Sequence, residues 1–135
     1  MIRVEHIGIA VKQLADADEL YSRLLDTNPY KHETVETEGV TTSFFQMGET
    51  KIELLEATRP DSPIAKFIEK KGEGIHQIAF EVDNIHAEIA RLKDEGFQVL
   101  NEEPKRGADN KWVAFLHPKS TGGVLIELCQ TIKDN

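Results

Sequence analysis

The chain is 135 residues long, 39% hydrophobic and 30% charged, which suits one soluble globular domain with no separate regulatory domain. Its formal net charge of −8 argues against a nucleic-acid partner, because phosphate binding is driven by clustered Lys and Arg. No apolar run approaches the roughly 18 residues of a membrane span, the first six residues lack a signal-peptide core, and Cys129 is the single cysteine; the expectation is a cytoplasmic protein with no membrane partner and no internal disulfide.

Residues 3–11 alternate and are rich in Val and Ile, so they read as a strand. Residues 13–25 follow as a helix whose apolar stripe is Leu14, Ala17, Leu20, Tyr21, Leu24 and Leu25. Asn28-Pro29 breaks that helix, and extended stretches near 30–36, 40–47 and 50–56 come next, with turns at Gly39 and Gly48. Asp61-Ser62-Pro63 begins a linker helix, about 61–72, whose apolar face is Ile64, Phe67 and Ile68. Gly72 and Gly74 then release the chain into a second module, which opens with a strand near 76–82. Asp83 or Asn84 caps a helix carrying Ile85, Ile89 and Leu92, and Gly96 stands where a left-handed cap is wanted. Strands near 97–102, 111–117 and 123–130 close the chain. Lys105, Arg106, Lys111 and Lys119 make these later segments locally basic, and each alone reads as solvated loop charge.

The order is the same unit twice. His6-Ile-Gly-Ile-Ala-Val11 is echoed 71 positions later by Gln77-Ile-Ala-Phe-Glu-Val82, and Phe44 and Phe115 keep that offset. Each unit ends on a strand with a carboxylate between large aliphatics, Ile52-Glu53-Leu54 and Ile126-Glu127-Leu128. The expected fold class is therefore α+β: one domain over 1–135, made of two tandem βαβββ modules, about 3–56 and about 75–130. Together they form a curved, antiparallel-rich sheet around a metal-binding cleft.

Alternation places His6 on one strand face with Gly8 and Ala10, and Gln77 with Ala79, so a polar group stands beside small residues that leave room for a ligand. A strand Glu flanked by apolar residues also reads as the solvated half of an alternating pattern. The duplication favours a site, since four polar residues recur on first and last strands. One imidazole, one amide and two carboxylates form a hard N/O set suited to a divalent metal with open positions, without the thiolates of structural zinc. His76 neighbours Gln77 but points to the opposite face of a regular strand, so it is a ligand only if a bulge intervenes. His32, His86 and His117 read as local or surface residues, Cys129 as a buried thiol, and Trp112 as core or cleft wall.

The stretches HIGIAV at 6–11, KIELLE at 51–56, DSPIAKFI at 61–68, GIHQIAFEVDNI at 74–85 and FLHPKSTGGVLIEL at 115–128 resemble the vicinal oxygen chelate, or glyoxalase-like, superfamily and, within it, the methylmalonyl-CoA epimerases. The resemblance implies one divalent metal (Co, Zn, Mn or Ni) held by His6, Glu53, Gln77 and Glu127, with Gln77 where the epimerases have a histidine. It implies interconversion of methylmalonyl-CoA stereoisomers by proton abstraction alpha to the thioester, through a metal-stabilised enolate. The family places a catalytic glutamate two residues before a Gly-Val pair, and that position is Thr37 here, flanked by Glu36 and Glu38. Glu127 and Glu38 are accordingly the candidate acid/base pair. The implied partners are an acyl-CoA substrate and a second copy in a homodimer. A lactoylglutathione lyase of the glyoxalase I type, or a non-catalytic small-molecule-binding member of the superfamily, is the alternative.

Overall fold

In the computed structural model, which describes residues 1–133, the chain runs β1 (Arg3–Ala10), α1 (Leu14–Leu25), β2 (Lys31–Val35), β3 (Val40–Met47), β4 (Thr50–Ala57), α2 (Pro63–Lys71), β5 (Gly74–Glu81), α3 (Ile85–Asp94), β6 (Lys105–Gly107), β7 (Lys111–Leu116) and β8 (Leu125–Thr131). The class is α+β, and βαβββ occurs twice. By compactness the chain divides into His6–His76 and a second unit in which Met1–Glu5 join the residues from Gln77 onward. The linker helix α2 therefore belongs to the first unit. The start of β1 is tied into the second, where the Ile2 N–H donates to the Glu81 carbonyl at 2.8 Å and Arg3 forks onto the Glu81 carboxylate at 3.2 and 3.3 Å.

In the first unit the strands are ordered β2-β3-β4-β1, with β1 parallel to β4 and the other pairs antiparallel. A parallel pair needs a long crossover, which α1 and the β2–β3 hairpin supply. Alternation then separates the faces. Ile9, Val11, Phe45, Leu54 and Ile52 pack on Leu14, Ala17, Tyr21 and Leu25 of α1. On the other face Ala10 and Leu55 pack against Ile64, Phe67 and Ile68 of α2. Ser62 starts α2 by accepting the Ala65 N–H at 3.1 Å, with Pro63 at the first helical position.

The second unit repeats the order as β5-β8-β7-β6, with β5 parallel to β8 and the other pairs antiparallel. Val82, Ile85, Ile89, Leu92, Ala114, Leu116 and Leu128 form its core on the α3 face. Asn84 caps α3 by accepting the Ala87 N–H at 3.1 Å. Gly96, at φ +94°, ends it in a Schellman arrangement, with the Phe97 N–H on the Leu92 carbonyl at 2.9 Å.

Three expectations are corrected. The apolar stripe of α1 is narrower than its periodicity suggests: Leu20 is 52% and Leu24 69% exposed, because the helix rests on its strands along Leu14, Ala17, Tyr21 and Leu25 only. The strand expected over 97–102 reduces to a single bridge between Val99 and Leu116. There the Asn101 side chain occupies positions of the ladder itself, donating to the Val113 carbonyl at 3.2 Å and accepting the Phe115 N–H at 2.9 Å. Lys111 is not a solvated loop charge; it lies in β7 and is 7% exposed.

Leu54 is fully buried between α1 and Phe45. Leu54→Ala is expected to destabilise the fold by roughly 2–5 kcal/mol, read as a lower urea midpoint at constant slope.

Candidate metal and proton-transfer site

The two parallel strand pairs set equivalent residues side by side. In the first unit Gly8 of β1 is in register with Glu53 of β4, and Phe44 of β3 flanks Glu53 from the other side. In the second, Ala79 of β5 is in register with Glu127 of β8, flanked by Phe115 of β7. Each carboxylate thus stands between a small residue and a phenylalanine ring position. The polar residue two positions before the small one, His6 or Gln77, lies on the same face.

These side chains are buried: His6 and Glu53 are each 4% exposed, Glu127 5% and Gln77 6%. His6 Nδ1 is 3.1 Å from Glu53 Oε2, and Gln77 Nε2 donates to Glu127 Oε1 at 3.3 Å. Placing a carboxylate under a strand face is costly without a partner, and each one has its polar partner within the same unit. The His6–Glu53 spacing suits a shared cation, since neighbouring ligands of an octahedral divalent ion bound at ~2.1 Å lie about 3 Å apart. In the other pair the Gln77 NH2 faces Glu127, and the amide oxygen is the atom that can bind a metal. One imidazole, one amide and two carboxylates are hard donors that fit such an ion.

The register of β5 with β8 runs unbroken from Gln77 to Glu81, and His76 lies just before it. The structure pairs Gln77 with Glu127, while the His76 ring packs edge-on against Phe67 at 5.0 Å. Glu38 lies in the turn between β2 and β3; it is half-buried, whereas Glu36 and Thr37 before it are exposed. The remaining histidines have local roles: His32 pairs with Asp18 at 2.6 Å, His117 accepts the Lys119 N–H at 3.0 Å, and His86 is exposed. Cys129 is buried with its thiol 3.6 Å from the Phe80 carbonyl, and Trp112 packs beside the second unit's core under the Arg106 guanidinium at 5.2 Å.

One cluster escaped the sequence reading. Glu5 is 1% exposed and faces the Lys111 ammonium at 3.8 Å; Lys111 also donates to Thr131 at 2.7 Å and lies 3.9 Å from Glu81. The available signal was a second acidic residue, Glu5, directly before His6 in a first strand otherwise rich in Val and Ile.

A family model described as the glyoxalase/bleomycin resistance protein/dioxygenase superfamily matches residues 5–115. The human mitochondrial methylmalonyl-CoA epimerase is 44% identical over 129 residues, covering 95% of this chain and 73% of that protein. The chain belongs to this superfamily, among the methylmalonyl-CoA epimerases. An ethylmalonyl-CoA/methylmalonyl-CoA epimerase of Cereibacter sphaeroides is also 44% identical, over 95% of this chain and 97% of that one. Streptomyces coelicolor methylmalonyl-CoA epimerase, solved as a variant in complex with 2-nitronate-propionyl-CoA, matches with a TM-score of 0.93 and 36% identity over 97% of this chain and 95% of its own. The superfamily's βαβββ repeat is the one described above. Among the described residues no helix is long and apolar enough to cross a membrane.

Lys111→Met removes the cation facing a buried carboxylate, and a cost of roughly 3 kcal/mol in chemical denaturation is expected. Lys105→Met, at an exposed edge-strand position, is expected to change stability by less than about 0.5 kcal/mol.

Proposed function

We propose that the chain is a metal-dependent methylmalonyl-CoA epimerase in which His6, Glu53, Gln77 and Glu127 hold one divalent ion and Glu127 and Glu38 move the proton. The epimerase class follows from its family membership; the substrate, the metal and the residue roles are this proposal. The observation that carries it is the twin register Gly8–Glu53 and Ala79–Glu127, which buries a carboxylate beside a small residue and a polar partner in both units.

The hydrogen between a thioester and a carboxylate is too weakly acidic to leave unaided at neutral pH. When bound, a divalent metal would supply the Lewis acidity that stabilises charge developing on the substrate oxygens. The protein's own part is positioning. The Gln77 amide holds one oxygen of Glu127, which limits how that carboxylate turns. Gly8 and Ala79 leave space beside the two glutamates that a larger side chain would fill. Inversion of configuration requires one group to take the proton on one side and another to deliver it on the opposite side. Glu127 serves one side, and Glu38, in the turn that carries the family's catalytic glutamate, serves the other. Three oxygen donors and one imidazole would accept several divalent ions, cobalt, zinc, manganese and nickel among them.

Two measurements test this. Titration of metal-depleted protein with manganese is expected to saturate at about one ion per chain, with His6→Ala and Glu53→Ala weakening binding roughly 10–100-fold; no binding of manganese or cobalt would remove the metal site. Deuterium from solvent is expected to enter methylmalonyl-CoA as its stereocentre inverts. Glu127→Gln should lower the rate by about 100–10,000-fold, and Glu38→Gln should remove the exchange on one face. Exchange into the glutathione adduct of methylglyoxal, with none into the CoA ester, would point to the lyase chemistry of the same scaffold.

A further inference from the structure

The turn between β2 and β3, residues Glu36–Gly39, holds the position that the epimerase reading assigns to acid/base chemistry, and it is not secured by its own hairpin alone. Within the hairpin the Glu38 N–H donates to the Val35 carbonyl at 3.1 Å and the Gly39 N–H to the Glu36 carbonyl at 3.2 Å. Beyond it, the turn is docked on the segment that follows β4. Arg59 Nη1 donates to the Glu36 carbonyl at 2.6 Å, Arg59 Nη2 to the Thr37 carbonyl at 3.3 Å, and the Thr58 N–H to the Gly39 carbonyl at 2.8 Å. Asp61 holds the other side of the guanidinium, with its Oδ1 2.7 Å from Nε.

The contact is close enough to dictate the residue at 39. Gly39 is buried at φ +64°, and a Cβ there would come within 2.8 Å of the Arg59 guanidinium carbon and 2.9 Å of the Ser62 Cβ. Glycine removes both the steric conflict and the cost of the left-handed backbone. A planar guanidinium is suited to this task because its donors are fixed in one fork and meet two successive carbonyls at once; an ammonium offers a single mobile point. Arg59 follows β4, the strand that carries Glu53, so the contact refers the turn to the strand of a proposed metal ligand.

We infer that Arg59 is a positioning residue that locks the turn Glu36–Gly39, and with it Glu38, to the strand bearing Glu53. This rests on the epimerase reading only for its kinetic consequence; the locking itself is a property of the fold. Arg59 touches main-chain carbonyls and not the reacting atoms, so its effect is exerted through the turn.

The test pairs hydrogen exchange on the metal-free protein with kinetics on the metal-loaded one, for Arg59→Ala and Arg59→Lys. In Arg59→Ala the amides of Glu38 and Gly39 should exchange at least about tenfold faster, the loss expected of a charge-assisted hydrogen bond, while those of Phe45 and Leu54 keep their rates. With methylmalonyl-CoA, kcat should fall by about 10–100-fold while KM changes less than about threefold, and Arg59→Lys should lie between Arg59→Ala and the unaltered chain. Unchanged exchange in the turn overturns the inference. So does a uniform acceleration across β3 and β4 with a lowered Tm, which would mark Arg59 as a general support. A rise in KM at constant kcat overturns it as well. If the unaltered chain does not turn over the CoA ester, the epimerase reading fails by itself and the exchange measurement alone decides the role of Arg59.

Discussion

Parallel pairing of the first and last strand of each βαβββ unit is the constraint on which the rest depends. It sets Gly8 beside Glu53 and Ala79 beside Glu127, and so decides that each carboxylate is buried next to a small residue. A buried carboxylate has no stable place under a strand face without polar partners. His6 and Gln77 supply them from the same strands that supply the small residues, through the period-two geometry of a strand. The geometry that places these carboxylates is thus the one that makes them tolerable to the fold.

The two faces of each unit divide the work. One face is apolar and takes a helix, α1 in the first unit and α3 in the second, and this supplies most of the hydrophobic stabilisation. The other face carries the polar residues. In the first unit it is completed by α2, whose Ile64 joins Ala10 and Leu55; in the second by Ala79, Val113, Cys129 and Phe115. The units share their scaffold more closely than their chemistry. An imidazole answers a carboxylate in one, and an amide answers a carboxylate in the other.

The repeat, the element order and the four polar positions were legible because they are local in origin. Alternation in β1 and β5, the Ser62 and Asn84 caps and the glycines at 39, 48 and 96 each act within a few residues. The misreadings came from contacts that no local pattern encodes. Lys111 looked like one of several loop cations, and it is buried because Glu5, distant in sequence, faces it. The stretch 97–102 has strand-like composition, yet the Asn101 side chain takes over part of the hydrogen bonding that a strand would use. Leu20 and Leu24 continue a helical stripe, and only the width of the surface beneath α1 shows where that stripe ends.

By itself the sequence determined the duplicated βαβββ architecture and named His6, Glu53, Gln77 and Glu127, since both rest on periodicity and on repetition at an offset that is 71 residues for His6 and Gln77 and 74 for Glu53 and Glu127. Tertiary structure alone decided that Gln77 meets Glu127 while the His76 ring lies edge-on to Phe67, that Glu38 is the half-buried carboxylate of its turn, and that Arg59 reaches two carbonyls of that turn. The reason is physical. Alternation says which face a side chain takes, but the partner it finds there is set by strand register and by loops that meet only once the chain has folded.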